Sequence, residues 1–309
     1  MRRFYIKNLK KYFERGGYFS RKERHPVLDI DEMAIEEGDS VGLIGESGSG
    51  KTTIARLLMR ILRPDGGRIE YFGRDIFSLN REDLRRYREH CQMIFQDPSS
   101  QFNPRMTIRD ILAEPLIING VKGDIDDMIE HSLSLVSLSK DISNRYIHQI
   151  SGGQRQRISI ARALILNPSF IICDEPVSAL DISVQTQILN LLYDLKEELN
   201  VRYLMISHDL SVVKFLCDYI YILFNGRIVE RGKIDEIFTD PVHPYTRELI
   251  EASTFKVDET ILNSDNYSKV DVDAKFNCPF TRCREIDRCN KTLLVERKIS
   301  ETHSVFCNL

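Results

Sequence analysis

The sequence lacks any apolar run long enough to cross a membrane. A spanning helix needs roughly 18 to 20 apolar residues, whereas the best run, Tyr219–Phe224, has six. Residues 1–5 read MRRFY and lack the apolar core of a signal peptide. Any task in membrane transport would therefore need separate membrane-spanning subunits.

The sequence also lacks a basic excess and an internal repeat. Lys and Arg total 43 against 46 Asp and Glu, a formal net charge of -3, which gives no support for nucleic-acid binding. With 309 residues, 42% of them hydrophobic, the chain can build one large domain or two ordinary ones. Each motif occurs once, so a function that needs two copies requires a dimer.

A phosphate-binding loop is the first motif present. Residues 45–52 read GESGSGKT and fit G-x-x-x-x-G-K-[ST], with an apolar strand, 41–44, before them and a helical pattern, 53–62, after them. Lys51 is expected beside the β- and γ-phosphates, and Thr52 offers a hydroxyl to Mg²⁺. The loop residues expected to contact ATP are Gly45, Ser47, Gly48, Gly50, Lys51, Thr52 and Thr53.

Two carboxylates follow the continuously apolar run at 170–173. Such a run is typical of a strand buried in a parallel sheet, and ligands bind at the carboxyl ends of these strands. Asp174 is expected to hold Mg²⁺, and Glu175 to orient or deprotonate the attacking water. An isolated Asp-Glu pair is more often a solvated surface feature, but its place after four apolar residues favours function.

Two further polar residues follow apolar strands. Gln96 is placed to reach Mg²⁺ and the attacking water, and His208 to contact the γ-phosphate. Taken alone, each would more often be structural. Their order along the chain with the loop and the carboxylates makes all three, Gln96, Glu175 and His208, candidate catalytic residues.

A second turn suited to phosphate precedes a helical run at 155–166. Its residues are Ser151, Gly152, Gly153 and Gln154, whose backbone N–H groups and helix N-terminus suit an anion. One nucleotide rarely needs two such turns, so this one is expected to serve the nucleotide of a partner subunit. Asp181, at the end of the SALD sequence of residues 178–181, is then expected to lie along that partner.

Taken together, these elements resemble the ATP-binding cassette family, and in particular the ATP-binding subunits of bacterial and archaeal dipeptide, oligopeptide and nickel importers. The similarity covers about residues 4–307 and favours the second of the two ATPase subunits that these transporters commonly carry. The sequence departs from the family pattern at three places. Ile147 stands where Pro is common, Ile150 replaces the usual Leu or Phe before Ser151, and Gln101-Phe102 replaces Ser-Leu. The supporting sequences are IFQDP at 94–98, NPRMT at 103–107, SGGQRQR at 151–157, DEPVSALD at 174–181 and HPYT at 243–246.

The resemblance implies an α/β fold with a P-loop NTPase core. It predicts a parallel central sheet, an N-terminal antiparallel β-subdomain, a helical subdomain at about 103–150 and a small Cys-rich extension. We therefore expect an ATPase domain over 1–250 and the extension over 251–309. In this family an aromatic near the N-terminus stacks on adenine; spacing favours Phe13 over Tyr12, and a core role for either stays open.

Four of the seven cysteines crowd the last 32 residues. Disulfides fit a cytosolic ATPase poorly, and zinc would favour a C-x₂-C pair that is missing. The resemblance implies a four-iron, four-sulfur cluster, although the first two gaps, four and five residues, are each one shorter than usual. Zinc and unmetallated thiols stay open. The four are Cys278, Cys283, Cys289 and Cys307; Cys91, Cys173 and Cys217 are expected to be buried thiols.

The implied function is ATP hydrolysis that powers peptide import. The implied partners are a second, different ATPase subunit, two transmembrane permease subunits and, indirectly, an extracellular substrate-binding protein, with the chain peripheral at the cytoplasmic face of the membrane. Nickel import is an alternative within the subfamily. A soluble cassette ATPase that acts on ribosomes or DNA is disfavoured, because such proteins usually carry two cassettes or a long coiled coil and this sequence has neither. A redox-sensing module with a vestigial ATPase is disfavoured by the intact Glu175 and His208.

Overall fold

The computed structural model describes residues 1–15, 23–255 and 295–307. Its strands are β1 (Arg2–Arg15), β2 (Glu23–Glu36), β3 (Val41–Ile44), β4 (Gly66–Tyr71), β5 (Arg74–Asp75), β6 (Cys91–Ile94), β7 (Phe170–Asp174), β8 (Arg202–Ser207), β9 (Tyr219–Phe224), β10 (Arg227–Lys233), β11 (Val295–Lys298) and β12 (Ser304–Cys307). Its α-helices are α1 (Lys51–Leu58), α2 (Arg81–His90), α3 (Pro98–Gln101), α4 (Ile108–Ile118), α5 (Ile125–Leu135), α6 (Gly152–Leu164), α7 (Ile182–Leu199), α8 (Leu210–Leu216), α9 (Ile234–Thr239) and α10 (Pro244–Phe255).

Two sheets organise these elements. The smaller is antiparallel, in the order β2-β1-β4-β5, and the larger has the order β11-β12-β10-β9-β3-β8-β7-β6. Strands β9, β3, β8, β7 and β6 run parallel, while β10, β12 and β11 extend one edge antiparallel. The predicted parallel sheet therefore forms the centre of a mixed sheet.

The central strands are apolar throughout because both of their faces are covered. Along β8, Tyr203 and Met205 pack into one hydrophobic core while Leu204 and Ile206 pack into the other. The first core includes the helices of residues 108–164, and the second includes the antiparallel sheet and α1. A strand between two cores has no solvent face, which explains the absence of polar alternation.

The segment predicted as a helical subdomain contains α4 and α5. Thr107 caps α4, and Asp110 reaches back to the Thr107 backbone N–H, which forms a capping box. The departures Ile147, Ile150 and Phe102 are all buried in the adjoining core.

The described end of the C-terminal extension belongs to the core sheet. Strand β12 pairs with β10, and β11 pairs with β12, so residues 295–307 add two strands at the sheet edge. Helix α10 crosses the predicted boundary at residues 250 and 251. In the three described ranges, no helix combines the length and apolarity needed to span a bilayer.

Candidate active site

The predicted site residues lie together at the carboxyl ends of the central strands of the large sheet. Strands β3, β8, β7 and β6 are neighbours and parallel, so their carboxyl ends lie side by side. The phosphate loop follows β3, His208 follows β8, Glu175 follows β7, and Gln96 lies two residues beyond β6. The chain thus collects residues that are up to 163 positions apart in sequence, from Gly45 to His208.

The phosphate loop closes tightly around the ammonium of Lys51. Lys51 Nζ donates to the carbonyl oxygens of Gly45 at 2.7 Å and Glu46 at 2.8 Å, and the side chain is only 5% exposed. A Cβ on Gly45 would lie 2.1 Å from the Leu223 carbonyl oxygen, and Gly50 has a φ of 110°. Both positions therefore require glycine.

Burial is the main influence on the charge of Lys51. It lowers the pKa of the ammonium, and the negative charges of Glu175, Asp174 and Glu46 oppose that shift. A phosphate bound in the loop would favour the ammonium form through the same Coulombic attraction. The site is thus suited to an anion that completes the environment of Lys51.

Thr52 and Asp174 form a pair of adjacent oxygen donors. The Thr52 hydroxyl donates to Asp174 Oδ1 at 3.1 Å, and Asp174 is 3% exposed. Burial raises the pKa of the Asp174 carboxyl, opposed by the hydrogen bond from Thr52. A divalent cation beside these oxygens would compensate the buried negative charge, and oxygen ligands of this kind suit Mg²⁺.

Glu175 lies between the other two candidate catalytic residues. Gln96 Nε2 donates to Glu175 Oε2 at 2.9 Å, and His208 Nδ1 lies 3.4 Å from Glu175 Oε1. Its backbone has a φ of 47°, unusual for a residue with a side chain, and its N–H donates to the Ile206 carbonyl at 2.9 Å. Such backbone strain persists where the surrounding structure fixes it, often at functional sites.

The second phosphate-type turn begins α6 at the surface. Ser151 Oγ accepts from the Gln154 N–H at 3.2 Å, and Gln154 Oε1 accepts from the Ser151 N–H at 3.0 Å. A Cβ on Gly153 would lie 2.7 Å from Val184 Cγ1, so α6 packs closely on α7 there. Ser151, Gly152 and Asp181 are exposed, which leaves this surface open to another molecule.

Phe13 lies on β1 opposite His25 and is 39% exposed. The Lys11 ammonium lies 5.8 Å from the centroid of its ring. Tyr12 is half-buried, and its backbone N–H donates to Asp65 at 2.8 Å. Of the two aromatics, Phe13 offers the freer ring face for stacking.

Sequence reasoning missed one contact with the phosphate loop. The backbone N–H of Glu46 donates to the hydroxyl of Tyr245 at 2.9 Å. Tyr245 belongs to the HPYT sequence, whose only signal was the family resemblance.

The predicted cysteine cluster falls largely outside the described residues. Cys278, Cys283 and Cys289 lie outside them, and for Cys307, the last residue of β12, only the strand is described. Within the described ranges, no group of three His, Cys, Asp or Glu side chains forms a metal site. Cys91, Cys173 and Cys217 are buried free thiols.

Comparison with known proteins gives consistent matches. Residues 28–178 match the family model described as "ABC transporter". The oligopeptide transport ATP-binding protein OppF of Streptococcus mutans is 45% identical over 250 residues, 80% of each chain. A Brucella ovis protein with a provisional name as a peptide import ATP-binding protein is 43% identical over 299 residues, 94% of each chain. The solved dimer of the ATP-binding cassette MJ0796 with ADP and Pi is 28% identical, with a TM-score of 0.66, covering 75% of this chain and 98% of that one.

Proposed function

This chain belongs to the ATP-binding subunits of ABC transporters, and we propose from that premise that its ATPase activity drives the import of dipeptides or oligopeptides. The observation that carries the proposal is the meeting of the phosphate loop, Asp174, Glu175, His208 and Gln96 at one sheet edge. The peptide substrate class rests on relatives named for peptide import that align over 80 to 94% of their length. Those names favour peptides over the nickel alternative.

We propose that Glu175 is the general base for water. Gln96 contacts one carboxylate oxygen of Glu175 and His208 contacts the other. These two contacts would orient the carboxylate toward a γ-phosphate bound beside Lys51. Thr52 and Asp174 would supply oxygen ligands for Mg²⁺, and the amide oxygen of Gln96 would supply a third. Phe13 supplies the exposed aromatic face for adenine.

The proposed assembly pairs this chain with a second ATPase subunit. The exposed Ser151 turn then contacts the partner's nucleotide, and Asp181 lies along the same interface. The pair would bind two transmembrane permease subunits at the cytoplasmic face of the membrane, with an extracellular substrate-binding protein acting indirectly. A different second ATPase fits the second-type motifs SGGQR and VSALD.

Reconstitution tests the substrate class. The chain with its partner ATPase, the permease subunits and the substrate-binding protein should be reconstituted in vesicles, and uptake of labelled di- and hexapeptides should be measured with and without ATP. Uptake of peptide that requires ATP and is abolished by Glu175→Gln supports the proposal. ATP-dependent uptake of Ni²⁺ without peptide uptake would overturn it.

We propose also that Cys278, Cys283, Cys289 and Cys307 hold a four-iron, four-sulfur cluster. Four thiols within 32 residues provide the donor set of a Cys₄ cluster, and β12 fixes the position of Cys307 at the core sheet. Anaerobically purified protein should be brown, absorb near roughly 400 nm and contain about four irons per chain, and Cys283→Ser should bleach it. Stoichiometric zinc, or no metal, would contradict the cluster.

A further inference from the structure

Tyr245 holds the backbone of the phosphate loop from outside the loop. Its side chain is 2% exposed, and its hydroxyl accepts the Glu46 N–H at 2.9 Å across 199 positions of sequence. The Glu46 side chain is exposed, so the contact fixes main chain and not a side chain. Because this N–H is hydrogen-bonded to the Tyr245 hydroxyl, the loop can adopt fewer conformations.

The ring of Tyr245 is held by the same strand end that supports the loop. Its centroid lies 4.6 Å from that of Phe224, the last residue of β9. The preceding carbonyl, of Leu223, is the group that excludes a Cβ at Gly45. Rotation of the ring away from Glu46 would therefore require a change in packing against β9.

A buried carboxylate fixes the turn that carries Tyr245. Glu230 on β10 is 0% exposed, and its two oxygens accept the backbone N–H groups of Val242 at 2.8 Å and His243 at 3.0 Å. The N–H of Tyr245 in turn donates to His243 Nδ1 at 3.2 Å. A buried carboxylate needs such partners, because unpaired it would be strongly destabilising.

The residue just before β12 gives the Glu230 carboxylate a further partner. His303, 3% exposed and one residue before β12, places Nε2 at 2.7 Å from Glu230 Oε1. The Tyr219 hydroxyl donates to the Thr302 carbonyl at 2.9 Å, and Glu230 pairs with Val305 across the sheet. The end of the chain and the turn before α10 thus meet at one carboxylate.

We propose that Tyr245 is a positioning residue for ATP binding, and that the C-terminal strand controls its placement through His303 and Glu230. The contacts run without a gap from His303 to Glu230, from Glu230 to His243, from His243 to Tyr245 and from Tyr245 to Glu46. The proposal rests on ATP binding at the phosphate loop and is independent of the transported solute.

Tyr245→Phe tests the first step, because it keeps the ring and removes only the hydroxyl. We expect the Kd for Mg-ATP to rise about 5-fold, the value of one net hydrogen bond, with kcat of the assembled pair unchanged at saturating ATP. The matched control is Tyr203→Phe. Tyr203 is also fully buried and donates one hydroxyl bond of 2.9 Å, to the Leu192 carbonyl, away from the loop.

Binding to the full-length purified chain and its melting temperature should be measured together. Tyr203→Phe should lower the melting temperature without changing the Kd, which separates positioning from general destabilisation. An unchanged Kd in Tyr245→Phe would overturn the positioning role. Failure of the wild-type chain to bind Mg-ATP would instead contradict the ATP site itself.

His303→Ala and His303→Gln test the second step. The alanine variant should raise the Kd for Mg-ATP about 3-fold, whereas the glutamine amide can still donate to Glu230 and should restore most of the affinity. Combined with Tyr245→Phe, His303→Ala should add less than its separate effect, since both act through one series of contacts. A lower melting temperature in His303→Ala with an unchanged Kd would overturn the role of the C-terminal strand.

Discussion

At the residue scale, the two carboxylates at the end of β7 differ in environment and so in the work they can do. Asp174 is buried and bonded to Thr52, whereas Glu175 is part-exposed between Gln96 and His208. A buried carboxylate suits a cation, and one that is reached by solvent suits the activation of water. We therefore propose separate roles for these two adjacent carboxylates.

Glu175→Gln should abolish hydrolysis while ATP binding is retained. The amide keeps the shape of the side chain; its oxygen can accept from Gln96 and its NH₂ can donate to His208, but it cannot take a proton from water. Turnover by the assembled pair should fall about 100-fold or more. Lys51→Ala, which removes the ammonium from the phosphate site, should instead weaken binding itself. Near-normal turnover in Glu175→Gln would refute the assignment.

His243 should make the fold sensitive to mild acid. Burial lowers its pKa from 6.5 to about 4, so between these pH values the unfolded chain binds a proton that the folded chain does not. The free energy of unfolding should therefore be fully retained above about pH 6.5 and fall by up to about 3 kcal/mol as the pH drops toward 4.

Urea unfolding at pH 7 and pH 5 measures this loss. In His243→Asn the side-chain oxygen can still accept the Tyr245 N–H, and the variant should lose less stability between the two pH values than the wild type. His131→Asn, at an exposed position, should behave as the wild type does. Equal losses in the wild type and His243→Asn would contradict the prediction.

At the element scale, β3 and α8 approach each other over a glycine. A Cβ on Gly42 would lie 2.1 Å from Cγ1 of Val213, which is fully buried. Gly42→Ala should lower the free energy of unfolding by about 1–3 kcal/mol through overpacking. Val213→Ala makes room for that methyl group, so the double variant should lose less than the sum of the single losses.

Denaturant titration of the four proteins measures this coupling. Gly38→Ala is the control, since a Cβ there would meet nothing within 4 Å. It should unfold close to the wild-type midpoint. Strict additivity of Gly42→Ala and Val213→Ala would show that the stability loss in Gly42→Ala does not come from contact with Val213.

The sequence predicted the elements whose burial leaves a local pattern. The strand predicted at 41–44 coincides with β3, and the apolar run at 170–173 lies within β7. The polar residues that follow β7 and β8 lie side by side because neighbouring parallel strands have their carboxyl ends together. Other features depend on pairing between distant segments. The β10–β12 edge and the Tyr245 hydroxyl bond to Glu46 have no periodic signal, so only the three-dimensional structure reveals them.

At the scale of the whole molecule, the exposed Ser151 turn should act on the nucleotide of a partner. Ser151→Arg removes the cap of α6 and places a long side chain at its N-terminus. In a mixed dimer that carries this change in one subunit, hydrolysis at the partner's phosphate loop should fall about 100-fold, as when a transition-state donor is lost. The altered subunit should still bind ATP at Lys51.

Site-specific photolabelling with an ATP analogue, performed on each subunit of the mixed dimer, separates the two loops. The reciprocal dimer, with the change in the other subunit, serves as the control and should reverse the pattern. Loss of labelling at the altered subunit's own loop, with normal hydrolysis at its partner's, would exclude a shared site.

Glu230 is contacted by two residues that are far apart in sequence, His243 and His303, and this affects how freely the length of the chain between them can change. His243 and His303 are 60 positions apart, yet both bond one carboxylate, so the chain between them is closed into a loop at that point. The entropy of closing such a segment grows only with the logarithm of its length, about 0.6 kcal/mol for each doubling. Insertions and deletions between α10 and Cys278, outside the proposed cluster, should therefore cost little closure entropy, so the chain can vary in size there while the phosphate loop keeps its geometry.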